Sequence, residues 1–154
     1  MKFEGQLTVP APREQVFDKL KDARFFASCI EGVQDLVEVD PTHYTARFET
    51  KIAYIKFKFQ VAVELTQADR PEAIAAKIEG KPHGIVGRLS ATSAARFEEV
   101  GGETIIHYAI EASLTGRLGS IGQPVLISKA KQMEGEFVAN LRAGFAGGAE
   151  AAAP

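Results

Sequence analysis

Two spacings of apolar residues run through this chain. "KFEGQLTV" alternates, with Phe3, Gly5, Leu7 and Val9 on one side, as a half-buried strand does. "PAPREQVFDKLKDARFFASCI" changes period. Pro12 suits the first turn of a helix, where its missing N–H costs nothing, and Val16, Phe17 and Leu20 recur at helical spacing. The Asp-Ala pair at Asp22 predicts a break into two short helices, and Gly32 closes the segment. About six strands follow. "VQDLVEV" ends at the turn "DPTH", and "YTARFETKI" sets Tyr44, Ala46 and Phe48 against Arg47, Glu49 and Lys51. "IKFKFQVAVEL" is the cleanest strand, with Phe57, Phe59, Val61 and Val63 facing one way and Lys56, Lys58 and Gln60 the other. "EAIAAKIEG" turns Ile74, Ala76 and Ile78 inward. "IVGRLSATSAARFEEV" turns Gly87, Leu89, Ala91, Ser93 and Ala95 inward. The Gly101-Gly102 pair signals a hairpin before "TIIHYAIEASL", with Ile106, Tyr108 and Ile110 inward.

"GRLGSIGQPVLISKAKQMEGEFVANL" restores the helical period. Gly122, Leu126, Ala130, Met133, Phe137 and Leu141 fall on one stripe, which Phe145 extends. Its first third carries Gly116, Gly119, Gly122 and Pro124. These residues either form a loop before a helix that seals a core, or loosen the first turns of a lid over a cavity. Pro124 either begins the main run or kinks an early turn. The small inward residues Gly87, Ala91, Ser93 and Ala95 leave space where a filled core would want bulk. The predicted fold is therefore α+β: a curved antiparallel sheet of about seven strands, two short helices after the first strand, and a long C-terminal helix over a cavity. One domain spans residues 1–146, and the small-residue tail 147–154 reads as disordered.

Charge and composition narrow the function. The chain has 154 residues, and 18 basic against 20 acidic side chains leave a net charge of -2, with no basic run to attract nucleic acid. No apolar run approaches the roughly 20 residues of a membrane span, and the N-terminus has no signal core. One cysteine, Cys29, excludes an internal disulfide and fits a reducing compartment, so a cytoplasmic location is expected. Cys29 sits among apolar residues and reads as core. His43, His83 and His107 lack metal-ligand spacing; His83, in the glycine-flanked "GKPHGIVG", is the one placed to sit at a cavity mouth. No nucleophile–base set for hydrolysis is visible. Glu98 and Glu99 read as solvated, and Lys56 and Lys58 as a solvated sheet face or a docking strip.

What remains is the inner face. The expected cavity lining comprises Phe26, Tyr44, Phe48, Phe57 and Phe59 on one side. Leu89, Ser93 and Tyr108 continue it, and Ile121, Gly122, Leu126, Ala130, Met133 and Phe137 roof it. A mostly apolar pocket with a few hydroxyls suits an apolar ligand bearing one or two carbonyls.

The element order resembles that of the helix-grip proteins, the START-like or SRPBCC superfamily. "FEGQLTVPAPREQVFDKLKDARFFASCIEGV" and "GRLGSIGQPVLISKAKQMEGEFVANL" resemble the opening and the terminal helix of the CoxG family of carbon monoxide dehydrogenase subunits, over roughly residues 1–145. The chain departs from that pattern at Glu31, where the family has Pro, and near Pro124, where it has a basic or small residue. It also stops at "AGGAEAAAP", where many members continue into a membrane-seeking helix. The resemblance implies an accessory protein of a molybdenum-containing dehydrogenase of the carbon monoxide dehydrogenase type. Such a protein would bind a quinone or lipid non-covalently in its cavity and link the enzyme to the inner face of the membrane, with weak peripheral membrane contact. Helix-grip relatives also include polyketide cyclases and dehydratases, which would make it an enzyme using Tyr44 and Tyr108. A plain interaction module with a filled core is the third possibility.

Overall fold

A computed structural model describes the backbone of residues 1–152 and the side chains of residues 1–145. The expectation about the tail, residues 147–154, concerns residues outside that fully described part. The order of elements is β1 (Lys2–Val9), α1 (Arg13–Lys21), α2 (Ala23–Ser28), β2 (Val33–Asp40), β3 (His43–Ile52), β4 (Ile55–Asp69), β5 (Ala73–Pro82), β6 (Gly87–Val100), β7 (Glu103–Gly116), a 3-10 turn (Arg117–Ser120) and α3 (Gln123–Ala152). The seven strands form one antiparallel sheet in the order β1-β7-β6-β5-β4-β3-β2. This is the predicted α+β helix-grip architecture.

Local chemistry explains the breaks. The Asp22 side chain accepts from the backbone N–H groups of Arg24 and Phe25, at 3.0 and 3.4 Å, and so starts α2 where α1 stops. The cap of α1 is not local. Pro12 offers no side-chain cap, and Glu99, at the far end of β6, accepts from the Arg13 N–H at 3.0 Å. A carboxylate at a helix N-terminus also meets the positive end of the helix dipole. Arg70, in the β4–β5 turn, donates two hydrogen bonds to the Asp18 carboxylate of α1 and holds it below its usual pKa.

The glycine-rich segment is not α-helical. Gly116 ends β7 with φ of 66°, directly opposite Gly87, and a Cβ on it would lie 2.6 Å from the Gly87 Cα. This close approach needs two glycines. Gly87 is therefore small for a backbone reason, not because it lines a cavity. The 3-10 turn then tucks Leu118 against Phe57 and Phe59, and all three are buried. α3 begins at Gln123, so Gly122 lies just before it and Pro124 sits in its first turn.

The core forms two separate clusters. One gathers Val9, Val16, Phe17, Cys29, Leu141 and Phe145 around the end of α3. The other is the Phe57–Phe59–Leu118 group at the opposite end of the strands. α3 is fastened at its far end, where Leu141 is fully buried, Phe25 meets Phe145 edge-on at 6.1 Å, and Asn140 donates to the Cys29 carbonyl at 3.1 Å. Thr104 is fully buried and donates to the Ala11 carbonyl at 2.7 Å.

Gly5 pairs with Tyr108 across β1 and β7, and the Tyr108 ring lies over it. A Cβ at position 5 would meet the Tyr108 Oη at 2.5 Å and Cζ at 2.7 Å. Gly5→Ala is therefore expected to destabilise the fold by about 1–3 kcal/mol through overpacking, read as a lower midpoint in urea denaturation.

Candidate functional site

The strand registers sort the inner face into rows. Phe48 and Phe59 form one row at the Leu118 end. Phe97, Ile106 and Leu7 form another at the α1 end. Four rows lie between them, and the two central ones matter here. The first runs Tyr44, Val63, Ile78, Ala91, Ala112; the second runs Leu65, Ala76, Ser93, Ile110, Phe3. Eight of these ten residues are apolar, yet only Tyr44 is buried, and Ile110 is 37 % exposed. An apolar band thus crosses the middle of the sheet without being covered, between two packed ends.

The gap follows from the run of α3. Along its apolar stripe Leu126, Ala130, Met133 and Phe137 are half-buried, and only Leu141 and Phe145 are buried. The helix is pinned at its C-terminal side and leaves the sheet towards its start. A cavity of about 660 Å³ opens there, with Ile78, Ala91, Ala112 and Leu114 as floor and Ile121 and Leu126 as roof. Lys77, Ser90, Thr92 and Glu111 also contribute to its wall, so the opening is polar at its edge. A second cleft of about 420 Å³ lies under the middle of α3. Met133 and Ile30 meet Glu49, Lys56, Lys129 and Glu136 there, so charged side chains share its wall with apolar ones.

The residues expected to line the cavity divide accordingly. Ile121, Gly122 and Leu126 border the larger cavity, and Met133 the charged cleft. Ser93 lies in the uncovered band, while Ala130 is half-buried on α3. Phe26 and Phe137 stack on each other at 5.2 Å, with Phe26 41 % exposed. Phe48, Phe57 and Phe59 pack in series with Leu118 and close one end of the face. Leu89 packs where Gly80 leaves room, in the row next to them.

The two tyrosines do not meet. Tyr44 donates its hydroxyl to the Pro41 carbonyl at 2.8 Å, on the β2–β3 turn. Tyr108 lies on β7, four strand spacings from β3 in the sheet order, or roughly 19 Å at about 4.8 Å per spacing. Burial pushes the Tyr108 phenol up to about 12, and the Glu134 carboxylate of α3 beside it adds to the rise. No acid–base pair of the kind the enzymatic alternative requires is formed by them.

The other candidates have plain roles. Cys29 is buried, and burial raises its thiol pKa. His43 lies between Asp40 and Glu64, which raise its pKa. His107 bonds Glu98 at 3.1 Å. The exposed His83 donates its backbone N–H to Lys58 and does not border either opening. No cluster of three or more metal-ligating side chains occurs among the described residues. Among them, too, no helix is long and apolar enough to cross a membrane. Two structural groups escape sequence reading: the Glu99 cap and the buried Thr104. Only the non-local pairing of strand ends with α1 exposes them.

A single long helix over a seven-stranded antiparallel sheet with an unfilled hollow defines a START-like helix-grip protein. Solved structures share this fold. A conserved protein from Geobacillus kaustophilus has a TM-score of 0.86 at 23% identity, covering 95% of each chain. A START superfamily protein from Mycobacterium smegmatis has a TM-score of 0.71 at 9% identity, covering 94% of this chain and 96% of that one. The ZhuI aromatase/cyclase of a Streptomyces species reaches 0.64 at 12% identity, with 93% and 92% covered. No curated protein matches the sequence. The pattern of the CoxG family of carbon monoxide dehydrogenase subunits matches residues 5–145, and the chain belongs to that family.

The Tyr108 phenol offers a direct check. Its pKa is higher in the folded state, so the folded protein keeps a proton that the unfolded chain loses above the ordinary tyrosine value of 10. The stability this group contributes is complete below pH of about 10 and is lost as pH rises towards about 12. Alkaline denaturation midpoints are expected to fall over that window in the wild type and to fall less in Tyr108→Phe.

Proposed function

We propose that this protein carries an apolar molecule, a quinone or a lipid, in the hollow under α3, and serves a molybdenum-containing dehydrogenase of the carbon monoxide dehydrogenase type. The uncovered apolar band supports this reading more than any other feature. Leaving eight apolar side chains partly in water costs about 25 cal/mol for each Å² not buried, which a ligand seated on the band recovers. The aliphatic part of the wall, Ile78, Ala91, Ala112, Leu114, Ile121 and Leu126, suits the body of such a guest, and the polar groups beside it suit a carbonyl or headgroup. Family membership supports this choice of enzyme partner, since the family is described as a subunit of carbon monoxide dehydrogenase. The separation of Tyr44 from Tyr108 leaves the cyclase alternative without a catalytic pair among the residues considered for it.

Native mass spectrometry of the purified protein, followed by organic extraction, tests the reading. A quinone or lipid mass is expected at about one per chain. Ala91→Trp, in the floor of the cavity, should leave the fold intact by circular dichroism and lower the bound fraction by about tenfold, a loss of about 1.4 kcal/mol of affinity. A wild type that neither retains nor takes up any quinone or lipid overturns the reading.

A further inference from the structure

The cleft under the middle of α3 shares no wall residue with the larger cavity and has no part in the carrier reading. α3 supplies one wall. Lys129, Gln132, Met133 and Glu136 recur at helical spacing and so share one face of it. The β3–β4 hairpin faces them with Glu49, Lys51 and Lys56. Ile30 and Glu31, in the loop before β2, and Gln34 on β2 close the far side.

Three lysines and three glutamates line this cleft, but their pairing is uneven. The Glu49 side chain is 18 % exposed and has three cations around it: Arg47 and Lys56 at 3.4 Å, and Lys58 at 3.9 Å. Burial pushes its carboxyl up, yet those cations outweigh burial and hold it below the ordinary value. Glu136 accepts a hydrogen bond from the Gln132 amide at 3.2 Å, and Glu31 is exposed. Positive charge is left over. Lys51 stands directly opposite Lys56 in the β3–β4 register, and like charges so placed repel. Lys129 is half-buried on α3. Neither Lys51 nor Lys129 forms an ion pair among the described residues. An ammonium held half out of water without a counter-charge is unfavourable, and an anion in the cleft relieves it.

We propose that this cleft binds a small organic polycarboxylate, with its carboxylates between Lys129 of α3 and the opposed Lys51 and Lys56 of the hairpin. The amides of Gln34 and Gln132 can donate to carboxylate oxygens, and Ile30 and Met133 suit the carbon frame. A hydroxyl on that frame can donate to Glu31 or Glu136. A compact inorganic anion fills little of the 420 Å³ and leaves the apolar pair uncovered.

Such a ligand bridges helix and sheet. α3 is otherwise fastened near Asn140 and Leu141. A polycarboxylate at Lys129 ties down a stretch three turns earlier, where the side chains of the apolar stripe are only half-buried.

Calorimetric titration of the full chain with citrate tests it. One citrate is expected per chain, bound less tightly as salt rises. Lys129→Gln should lower the affinity about tenfold. Lys131→Gln, exposed and outside the cleft, should leave it unchanged. Glu31→Gln should raise it about threefold by removing a repelling carboxylate, a gain that a damaged fold cannot imitate. Circular dichroism checks that each variant is folded. Citrate should also slow amide hydrogen exchange around Lys129 in the wild type and not in Lys129→Gln. No saturable citrate binding, equal loss in Lys129→Gln and Lys131→Gln, or inorganic phosphate binding as tightly as citrate overturns the proposal. Binding of a polyglutamate peptide in preference to citrate assigns the cleft to an acidic protein segment and overturns it too. None of these measurements needs a guest in the hollow, so their failure leaves the carrier reading standing.

Discussion

One helix has to cover seven strands, and it cannot. Six spacings of about 4.8 Å make a face roughly 29 Å wide, while a helix with its side chains is about 10 Å across. The chain uses what it has at the two ends. α1, α2 and the last turns of α3 pack one end around Leu141, and the 3-10 turn plugs the other with Leu118. The two central rows are left with one buried residue, Tyr44. The hollow follows from this shortage of cover, and the site is built from it.

The strength of the two ends permits the weakness between them. Val9, Val16, Leu141 and Thr104 have no exposure at all, and the last of these has its hydroxyl satisfied by Ala11. No described buried side-chain polar atom lacks a partner. The long-range ties, Glu99 to α1, Arg70 to Asp18 and Asn140 to Cys29, all fasten the helical layer at the same side of the sheet. The helix start is free of such ties, and this is the part that roofs the cavity.

Most of the strands were legible from a period of two, β4 most clearly with Phe57, Phe59, Val61 and Val63. The split at Asp22 was legible from a residue whose side chain can cap. The glycine-rich lead into α3 was ambiguous, since Gly116, Gly119 and Gly122 are compatible with a loop or a loose helix; the facing glycine at position 87 decides it, and that pairing is 29 positions away. The site was legible only in outline. Parity places Ser93 and Phe57 on the same face, but not that one lies in the open band and the other under Leu118. Which inward residue is covered depends on where the helix stops touching the sheet, and no local pattern records it.

The outer strand β2 is irregular. Its pairing with β3 slips between Gln34 and Val37 and again between Glu38 and Asp40, and Asp35 has φ of 53°. Its free rim therefore lacks a straight ladder of vacant amides. A neighbouring copy could not continue the sheet there without abandoning register after two or three residues. Val37 and Val39, both well exposed, would otherwise make that margin adhesive. The kinked border thus lets the chain keep a greasy strand at its boundary while resisting growth into ribbons or fibrils.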